Sequence, residues 1–348
     1  MWDVVGQTRA ISLLQRSLEA GSLSHAYLLV GPAHVGKMTL ALDLARAVNC
    51  EGAKPPCGEC TSCQRITEGK HADIQVIDLG GSNGDSAESE SRVKISVEQI
   101  EQMQHSAFLP PFEGRCKVFI LDGAEFLSIG AANRLLKTLE EPVAGVVFIL
   151  LTVNEKLLPV TIVSRCQRIE LAPLGTAEVE AALTSRWGVE LDKAKLLSRL
   201  ANGGLGWAVS AAQDGQLLQQ RAEALGKLLD ITEAGYEQRF QYATELAARF
   251  NQSRRAVQEV LQLWLDWWRD LLLVKVDCKS AIINIDHSKQ LVGMANSYKL
   301  AQIRAFIDNI QAASDQLQLN ANPQLVLEVL MLSVPEKNNM KNPVPDVR

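Results

Sequence analysis

The stretch Gly31-Pro-Ala-His-Val-Gly-Lys-Met-Thr39 decides the fold of this chain. An apolar run at residues 26–30 precedes it, and a segment with helical spacing at residues 40–48 follows it. A strand, a glycine loop and a helix in this order form a P-loop, whose backbone N–H groups and helix N-terminus attract phosphate. The alternative is a glycine-rich turn that binds no ligand.

Gly31, Gly36 and Lys37 are the predicted phosphate-binding residues of this loop. The position after the lysine ordinarily carries Ser or Thr, whose hydroxyl binds Mg²⁺, but here it is Met38. A thioether is a poor ligand for a hard cation that prefers oxygen. Thr39 lies one residue late and is retained as a cofactor-binding candidate. The loop therefore predicts nucleotide binding and argues against hydrolysis.

A second part of the nucleotide site is predicted at residues 117–122, an apolar strand that ends in a carboxylate. Asp122 has the position of a Walker B aspartate, which holds Mg²⁺. Hydrolysis also needs a carboxylate that orients or deprotonates water, and the adjacent residue is Gly123. Glu125 lies two residues further along, and we expect its side chain to face elsewhere unless the turn is unusual.

Four of the seven cysteines lie close together, namely Cys50, Cys57, Cys60 and Cys63. In a reducing compartment such a cluster is typical of a metal site rather than a disulfide framework. Four thiolates at this spacing suit Zn²⁺, and a closed shell of four sulfurs predicts a structural zinc. The alternative is four buried free cysteines.

Composition excludes several classes of protein. With 47% hydrophobic residues and a net charge of -5, the chain resembles an ordinary soluble protein without a wholly basic nucleic-acid surface. No apolar run approaches the roughly 20 residues of a membrane span, and residues 1–7 lack the features of a signal peptide. We expect a cytoplasmic protein with no membrane partner.

Apolar strands alternate with helices as far as residue 172, which predicts a three-layer α/β domain with a parallel sheet. The strands then stop, and helical spacing continues. A stripe on one helical face, Val257, Leu261, Trp264, Leu265, Trp268 and Leu272, is interpreted as core or subunit contact rather than a nucleic-acid stacking platform. The predicted regions are 1–172 (α/β, with the cysteine module at 50–63), 173–213 (small helical domain), 214–334 (helical C-terminal domain), 80–92 (polar loop) and 335–348 (disordered tail).

The order of these motifs resembles that of the bacterial DNA polymerase III clamp loader, an AAA+ family. The resemblance covers about residues 2 to 210, and the C-terminal part agrees only in length and helical character. The resemblance rests on short sequence motifs, which we call the family strings: Val5-Gly-Gln7, Ser24-His-Ala26, the P-loop, the four cysteines, His71-Ala-Asp-Ile74, Leu121-Asp-Gly-Ala-Glu125, Asn133-Arg-Leu-Leu-Lys-Thr-Leu-Glu-Glu-Pro142 and Ser164-Arg-Cys166. It implies an AAA+ P-loop sheet with a zinc module, a helical lid and an all-α collar for oligomerisation.

Two members of that family carry these features, the gamma/tau motor and the delta-prime stator. The motor is expected to have Ser or Thr at position 38, Glu at 123 and an arginine within residues 203–207. This chain has Met38, Gly123 and no arginine in that stretch. The resemblance therefore implies a delta-prime-like stator that binds ATP or ADP weakly and does not hydrolyse it. A working gamma/tau-type motor is the alternative, and an unrelated AAA+ regulator is a third reading that the string at 133–142 disfavours.

The resemblance also implies a role for Arg165 and a set of partners. Arg165 would complete the ATP site of a neighbouring motor subunit as an arginine finger, a use to which a planar guanidinium is suited. The alternative is a sheet-edge arginine in an ion pair. The implied partners are the gamma/tau and delta subunits, the sliding clamp and primer–template DNA, within a DNA-directed DNA polymerase holoenzyme, a nucleotidyltransferase.

Overall fold

The computed structural model of the chain describes residues 1–79, 94–319 and 321–337. The predicted polar loop at 80–92 and residues 338–348 of the predicted tail lie outside the described residues. The chain divides into two compact units, each of two segments. The first unit is Met1–Trp187 with Gly203–Trp207, and the second is Gly188–Asn202 with Ala208–Arg348. The three-part division at residues 172 and 213 stays a prediction.

The first unit is built on five strands, β1 (Ala26–Val30), β2 (Ile74–Ile77), β3 (Lys117–Asp122), β4 (Val146–Thr152) and β5 (Gln167–Glu170). All neighbouring strands are parallel, in the order β2-β3-β4-β1-β5. Alternate side chains enter opposite cores, so that Tyr27 and Leu29 pack on one face and Leu28 on the other. This confirms the predicted parallel sheet with both faces covered.

The described helices that lie within Met1–Trp187 are α1 (Thr8–Glu19), α2 (Lys37–Asn49), α3 (Thr61–Thr67), α4 (Val97–Phe108), α5 (Ile129–Glu140), α6 (Val160–Val163) and α7 (Thr176–Trp187). Leu14 of α1 and Leu44 of α2 belong to the core on one face, and Ile100 of α4 and Leu135 of α5 to the core on the other. The strand order brings the carboxyl ends of β1, β3 and β4 to adjacent positions at one edge. In open parallel sheets that edge is where ligands bind.

The string His71-Ala-Asp-Ile74 has a structural explanation. Asp73 accepts hydrogen bonds from the backbone N–H groups of Phe112 (2.7 Å), Glu113 (2.9 Å) and Gly114 (2.7 Å). Burial on its own would raise the pKa of Asp73, but these three donors lower it overall. The carboxylate therefore fixes the loop that leads into β3.

The remaining helices are α8 (Leu191–Leu200), α9 (Leu205–Gln213), α10 (Gly215–Glu233), α11 (Tyr236–Gln252), α12 (Arg254–Lys275), α13 (Ser288–Ser297), α14 (Leu300–Gln318) and α15 (Pro323–Leu332). In the second unit, Trp264 and Trp268 of α12 are fully buried. The Trp268 ring meets Phe306 of α14 edge-on, with centroids 4.7 Å apart. This confirms the core interpretation of the tryptophan stripe. None of the described helices has the length and apolar composition needed to cross a membrane.

The raised pKa of Asp266 in α12 predicts how the stability of the second unit depends on pH. Burial, aided by the nearby charge of Asp270, raises its pKa from 3.8 to about 6. The folded state therefore holds this proton more tightly than the unfolded chain, and stability falls as pH rises through that window. We expect Asp266→Asn to remove this cost and raise the free energy of unfolding by on the order of 2 kcal/mol at pH 7.5.

Thermal unfolding followed by circular dichroism, with hydrogen exchange of α12 amides, measures this effect in the full chain. Asp308 of α14 is exposed, so Asp308→Asn is the matched control and should have little effect. The advantage of Asp266→Asn should shrink towards zero near pH 4, where the native carboxyl is also protonated. An advantage that does not change between pH 4 and pH 7.5 would contradict the titration argument.

Candidate nucleotide and metal sites

The P-loop runs from the end of β1 to the start of α2. Gly36, directly before the helix, has a φ of 100°, in the left-handed region that favours glycine. A Cβ at Gly31 would lie 2.5 Å from the carbonyl oxygen of Leu171. The backbone thus requires glycine at both predicted positions, and the strand, loop and helix expected of a P-loop are present.

Lys37 begins α2 and is only 9% exposed. Its ammonium donates to the carbonyl oxygens of Gly31 (2.6 Å) and Pro32 (2.7 Å). Met38 is partly buried and packs against the core beneath the sheet, whereas Thr39 is exposed in the first turn of the helix. The residue in the usual Mg²⁺-binding position is therefore a packing residue.

Two residues to which the sequence analysis gave no individual role support the loop. The side-chain amide of Gln7 donates to the carbonyl of Val35 at 3.4 Å. The N–H of Gly206 donates to the carbonyl of His34 at 2.9 Å. Gln7 could have been noticed from its place in the string Val5-Gly-Gln7. Gly206 lies within Gly203–Trp207, the stretch that lacks the arginine expected of a motor.

Asp122 is the last residue of β3, beside Leu151 of β4. The next residue, Gly123, has φ 76° and ψ 50°, a left-handed conformation that is costly for other residues. A Cβ at this position would also lie 2.7 Å from a ring carbon of Phe126. The backbone where a motor carries its glutamate is therefore shaped for glycine.

Glu125 follows an unusual turn and does not face away from the site. The left-handed turn at Gly123 leads into a 3-10 turn, Ala124–Phe126, which directs Glu125 to the carboxyl end of β4. There its Oε1 accepts from the N–H of Val153 at 3.3 Å, and the hydroxyl of Thr152 is a further partner. The turn after the strand is therefore the unusual one for which the expectation made an exception.

The electrostatic surroundings of Glu125 link it to the P-loop. Burial raises the pKa of Glu125, and the ammonium of Lys37 acts in the opposite direction. Within the described residues, its Oε2 is buried and has no hydrogen-bond partner. A buried carboxylate oxygen left in this state is costly, so this residue is a candidate for a role in the site.

The four clustered cysteines come together as predicted. Their sulfur atoms all lie within 4.8 Å of one another, and Cys57 Sγ is 3.9 Å from Cys63 Sγ. A tetrahedral zinc with Zn–S bonds of about 2.3 Å separates its sulfurs by about 3.8 Å. Cys50 and Cys63 are buried. The donor set fits a closed four-sulfur metal site, with Cys50, Cys57, Cys60 and Cys63 as its ligands.

Backbone groups around the cluster favour thiolates. Cys50 Sγ accepts from the N–H groups of Gly52 and Cys57, each at 3.3 Å. The N–H groups of Cys60 and Glu59 lower the pKa of Cys57 to about 6. A Cβ at Gly52 would lie 2.9 Å from the Cβ of Cys57. Glycine at position 52 therefore lets the backbone come close to the Cys57 side chain. Donors of this kind orient and stabilise metal ligands.

A group of three side chains resembles a nucleophile, a base and an acid, namely Ser62, His71 and Glu113. The direction of their hydrogen bonds opposes catalysis. His71 Nδ1 accepts from the N–H of Asp73 at 3.2 Å, which leaves the proton on Nε2. That nitrogen lies 3.1 Å from Ser62 Oγ and so donates to the hydroxyl. A base must accept the hydroxyl proton, and we therefore assign this group a structural role.

Arg165 follows α6 and joins two of the family strings. Its Nη2 lies 2.7 Å from Glu140 Oε1 at the end of α5, and its Nη1 donates to the carbonyl of Thr161 at 2.9 Å. The side chains of Arg165 and Glu140 are 35% and 49% exposed. The guanidinium is thus partly accessible while engaged in an ion pair, and its action on a neighbour stays a prediction.

The chain is similar in sequence to several subunits of DNA polymerase III. The profile of a family described as DNA polymerase III, delta subunit, matches residues 6–175. The tau subunit of DNA polymerase III from Bacillus subtilis is 27% identical over 95% of this chain, which spans 61% of that relative's length. The delta' subunit from the same organism is 28% identical over 95% of this chain and 96% of its own.

A solved structure also matches along most of the chain. It is a DNA polymerase III gamma subunit-related protein from Thermotoga maritima, 16% identical, with a TM-score of 0.45. The match covers 93% of this chain and 98% of that one.

Proposed function

The chain belongs to the clamp-loader family of DNA polymerase III, and on this basis we propose that it is a delta-prime-type stator. In this proposal it helps to load the sliding clamp onto primed DNA during replication. Its P-loop site binds ATP or ADP weakly and does not hydrolyse it. Arg165 acts on the ATP site of a neighbouring motor subunit.

Gly123 is the observation that carries the proposal. A glutamate there would need a left-handed backbone and would press on Phe126, so the site has no carboxylate in the usual position for activating water. Two further features agree, since Met38 packs against the core instead of offering a hydroxyl and residues 203–207 contain no arginine. Each removes a group that phosphoryl transfer uses.

The intact P-loop favours one alternative, a gamma/tau-type ATPase motor. Gly31, Gly36 and Lys37 are all in place, and Glu125 brings a carboxylate to the same edge of the sheet. If Glu125 replaced the missing base, the chain would hydrolyse ATP without any partner.

The remaining assignments follow from membership of the family. We propose that the cysteine cluster holds a structural zinc, that residues 173–213 are a lid and that residues 214–334 form an oligomerising collar. The proposed partners are the gamma/tau and delta subunits and, through the assembled complex, the sliding clamp and primer–template DNA. The proposed place of action is the cytoplasm, within the DNA polymerase holoenzyme.

Steady-state ATPase of the purified chain tests the stator against the motor. We expect turnover at the level of the Lys37→Ala control, because loss of a catalytic base alone costs roughly 10² to 10⁴ in rate. The Lys37→Ala variant also detects a contaminating ATPase, which it would leave unchanged. Turnover that Lys37→Ala abolishes would refute the stator proposal and favour the motor.

A further inference from the structure

Glu125 has no part in the proposed stator role, yet it is joined to the P-loop. We propose that the carboxylate of Glu125 is a built-in competitor of phosphate, which weakens nucleotide binding by acting on Lys37. This inference rests on the proposed function, because it concerns why the same P-loop binds nucleotide weakly.

The geometry connects Glu125 to the first glycine of the loop through the end of β4. Thr152 lies directly beside Val30 in the sheet, and its carbonyl accepts from the N–H of Gly31 at 3.2 Å. The next residue, Val153, donates its N–H to Glu125 Oε1 at 3.3 Å. The single peptide group between Thr152 and Val153 therefore makes both contacts, with its carbonyl on the P-loop and its N–H on the carboxylate.

The charges reinforce this connection. The Lys37 ammonium donates to the carbonyls of Gly31 and Pro32, so its charge is directed into the loop. It also stabilises the ionised form of Glu125, whose pKa burial raises. Within the described ranges, Glu125 Oε2 is buried without a hydrogen-bond partner. A negative charge that is poorly hydrated acts over a longer distance than one in water.

Phosphate at this loop meets two obstacles as a consequence. The ammonium of Lys37 must leave its carbonyl partners, and the phosphate must enter the field of Glu125. Both effects weaken the binding of an anion. Mg²⁺ on the nucleotide offsets part of the like-charge repulsion, so the carboxylate disfavours free nucleotide more strongly than the Mg²⁺ complex.

Glu125→Gln separates charge from shape, because an amide oxygen still accepts from the Val153 N–H. Binding of a fluorescent ADP derivative to the full chain is the measurement, with Mg²⁺ either present or omitted. Omission is preferred to a chelator, which would attack the cysteine site. We expect Glu125→Gln to lower the Kd about tenfold without Mg²⁺, with a smaller gain when Mg²⁺ is present.

Two controls make the result specific. Glu155 follows β4 and pairs with Arg168 at 2.6 Å, so Glu155→Gln removes the same charge nearby and should change the Kd little. In a Lys37→Met background, Glu125→Gln should give a clearly smaller gain, because only the direct repulsion between carboxylate and phosphate is then relieved.

Several outcomes would overturn the inference. An unchanged or weakened affinity in Glu125→Gln would do so, and so would an equal gain in Glu155→Gln or an undiminished gain in the Lys37→Met background. The stator proposal fails on different evidence, namely ATP hydrolysis by the native chain. ADP binding does not depend on hydrolysis, so the two failures are distinguishable.

Discussion

Cys63→Ser is expected to release the zinc that we propose for the cysteine cluster and to destabilise the first unit by several kcal/mol. The Cys63 sulfur is buried and lies 3.9 Å from that of Cys57, and a hydroxyl is a poor replacement for a thiolate on zinc. The other three thiolates would then lie close together without the cation that neutralises them. Because α3 includes Cys63 and packs against α2, the helix that starts at the P-loop, the damage should reach beyond the module.

Metal analysis and thermal unfolding measure these two effects. We expect close to one zinc per native chain and far less in Cys63→Ser, with a clearly lower Tm. Cys278 is exposed and lies outside the cluster, so Cys278→Ser should retain both the metal and the stability. A native chain without metal, or one whose Tm does not respond to a strong chelator, would argue against a structural zinc.

The parts that the sequence predicted well are those with short-range causes. Continuous apolar runs marked β1, β3 and β4, because strands of a parallel sheet with helices on both faces are buried on both sides. The P-loop and the cysteine module are recognisable from spacing alone, because residues a few positions apart must converge on one ligand. The apolar stripe of α12 is likewise recognisable from its helical spacing, and its Trp264 and Trp268 lie in the core.

The parts that were missed depend on a single backbone conformation or on distant contacts. The position of Glu125 follows from the left-handed φ of Gly123, which a glycine permits but does not require. Gly206 and His34 lie far apart in sequence, and only the folded chain brings them within hydrogen-bond distance. The ion pair of Arg165 with Glu140 likewise joins two strings that sequence reasoning treated separately.

That ion pair sharpens the prediction for Arg165. Both side chains are substantially exposed, at 35% and 49%, and exposed ion pairs typically contribute about 0 to 1 kcal/mol to stability. Arg165→Ala should therefore leave the chain folded and able to assemble. If the guanidinium reaches the phosphates of a neighbour, its loss should slow hydrolysis at that site by on the order of 10³ or more.

Glu140→Gln is the matched control, because it removes the ion pair and retains the arginine. If Arg165 serves only to hold α5, the two variants should lose activity equally. If Arg165 acts in trans, Glu140→Gln should keep full activity or gain some, because the guanidinium no longer has to leave a carboxylate. Arg165→Lys should recover little, since an ammonium cannot present paired planar donors to phosphate oxygens.

The measurement is DNA-stimulated ATPase and clamp loading by the reconstituted complex, with the amount of assembled complex determined for each variant. We expect Arg165→Ala to be strongly impaired in a fully assembled complex while Glu140→Gln is not. The overall rate of a complex with several ATP sites falls less than the rate at the affected site, so single-turnover hydrolysis is the more sensitive assay. Normal activity of assembled Arg165→Ala, or equal losses in the two variants, would leave Arg165 as the sheet-edge ion pair that its contact with Glu140 describes.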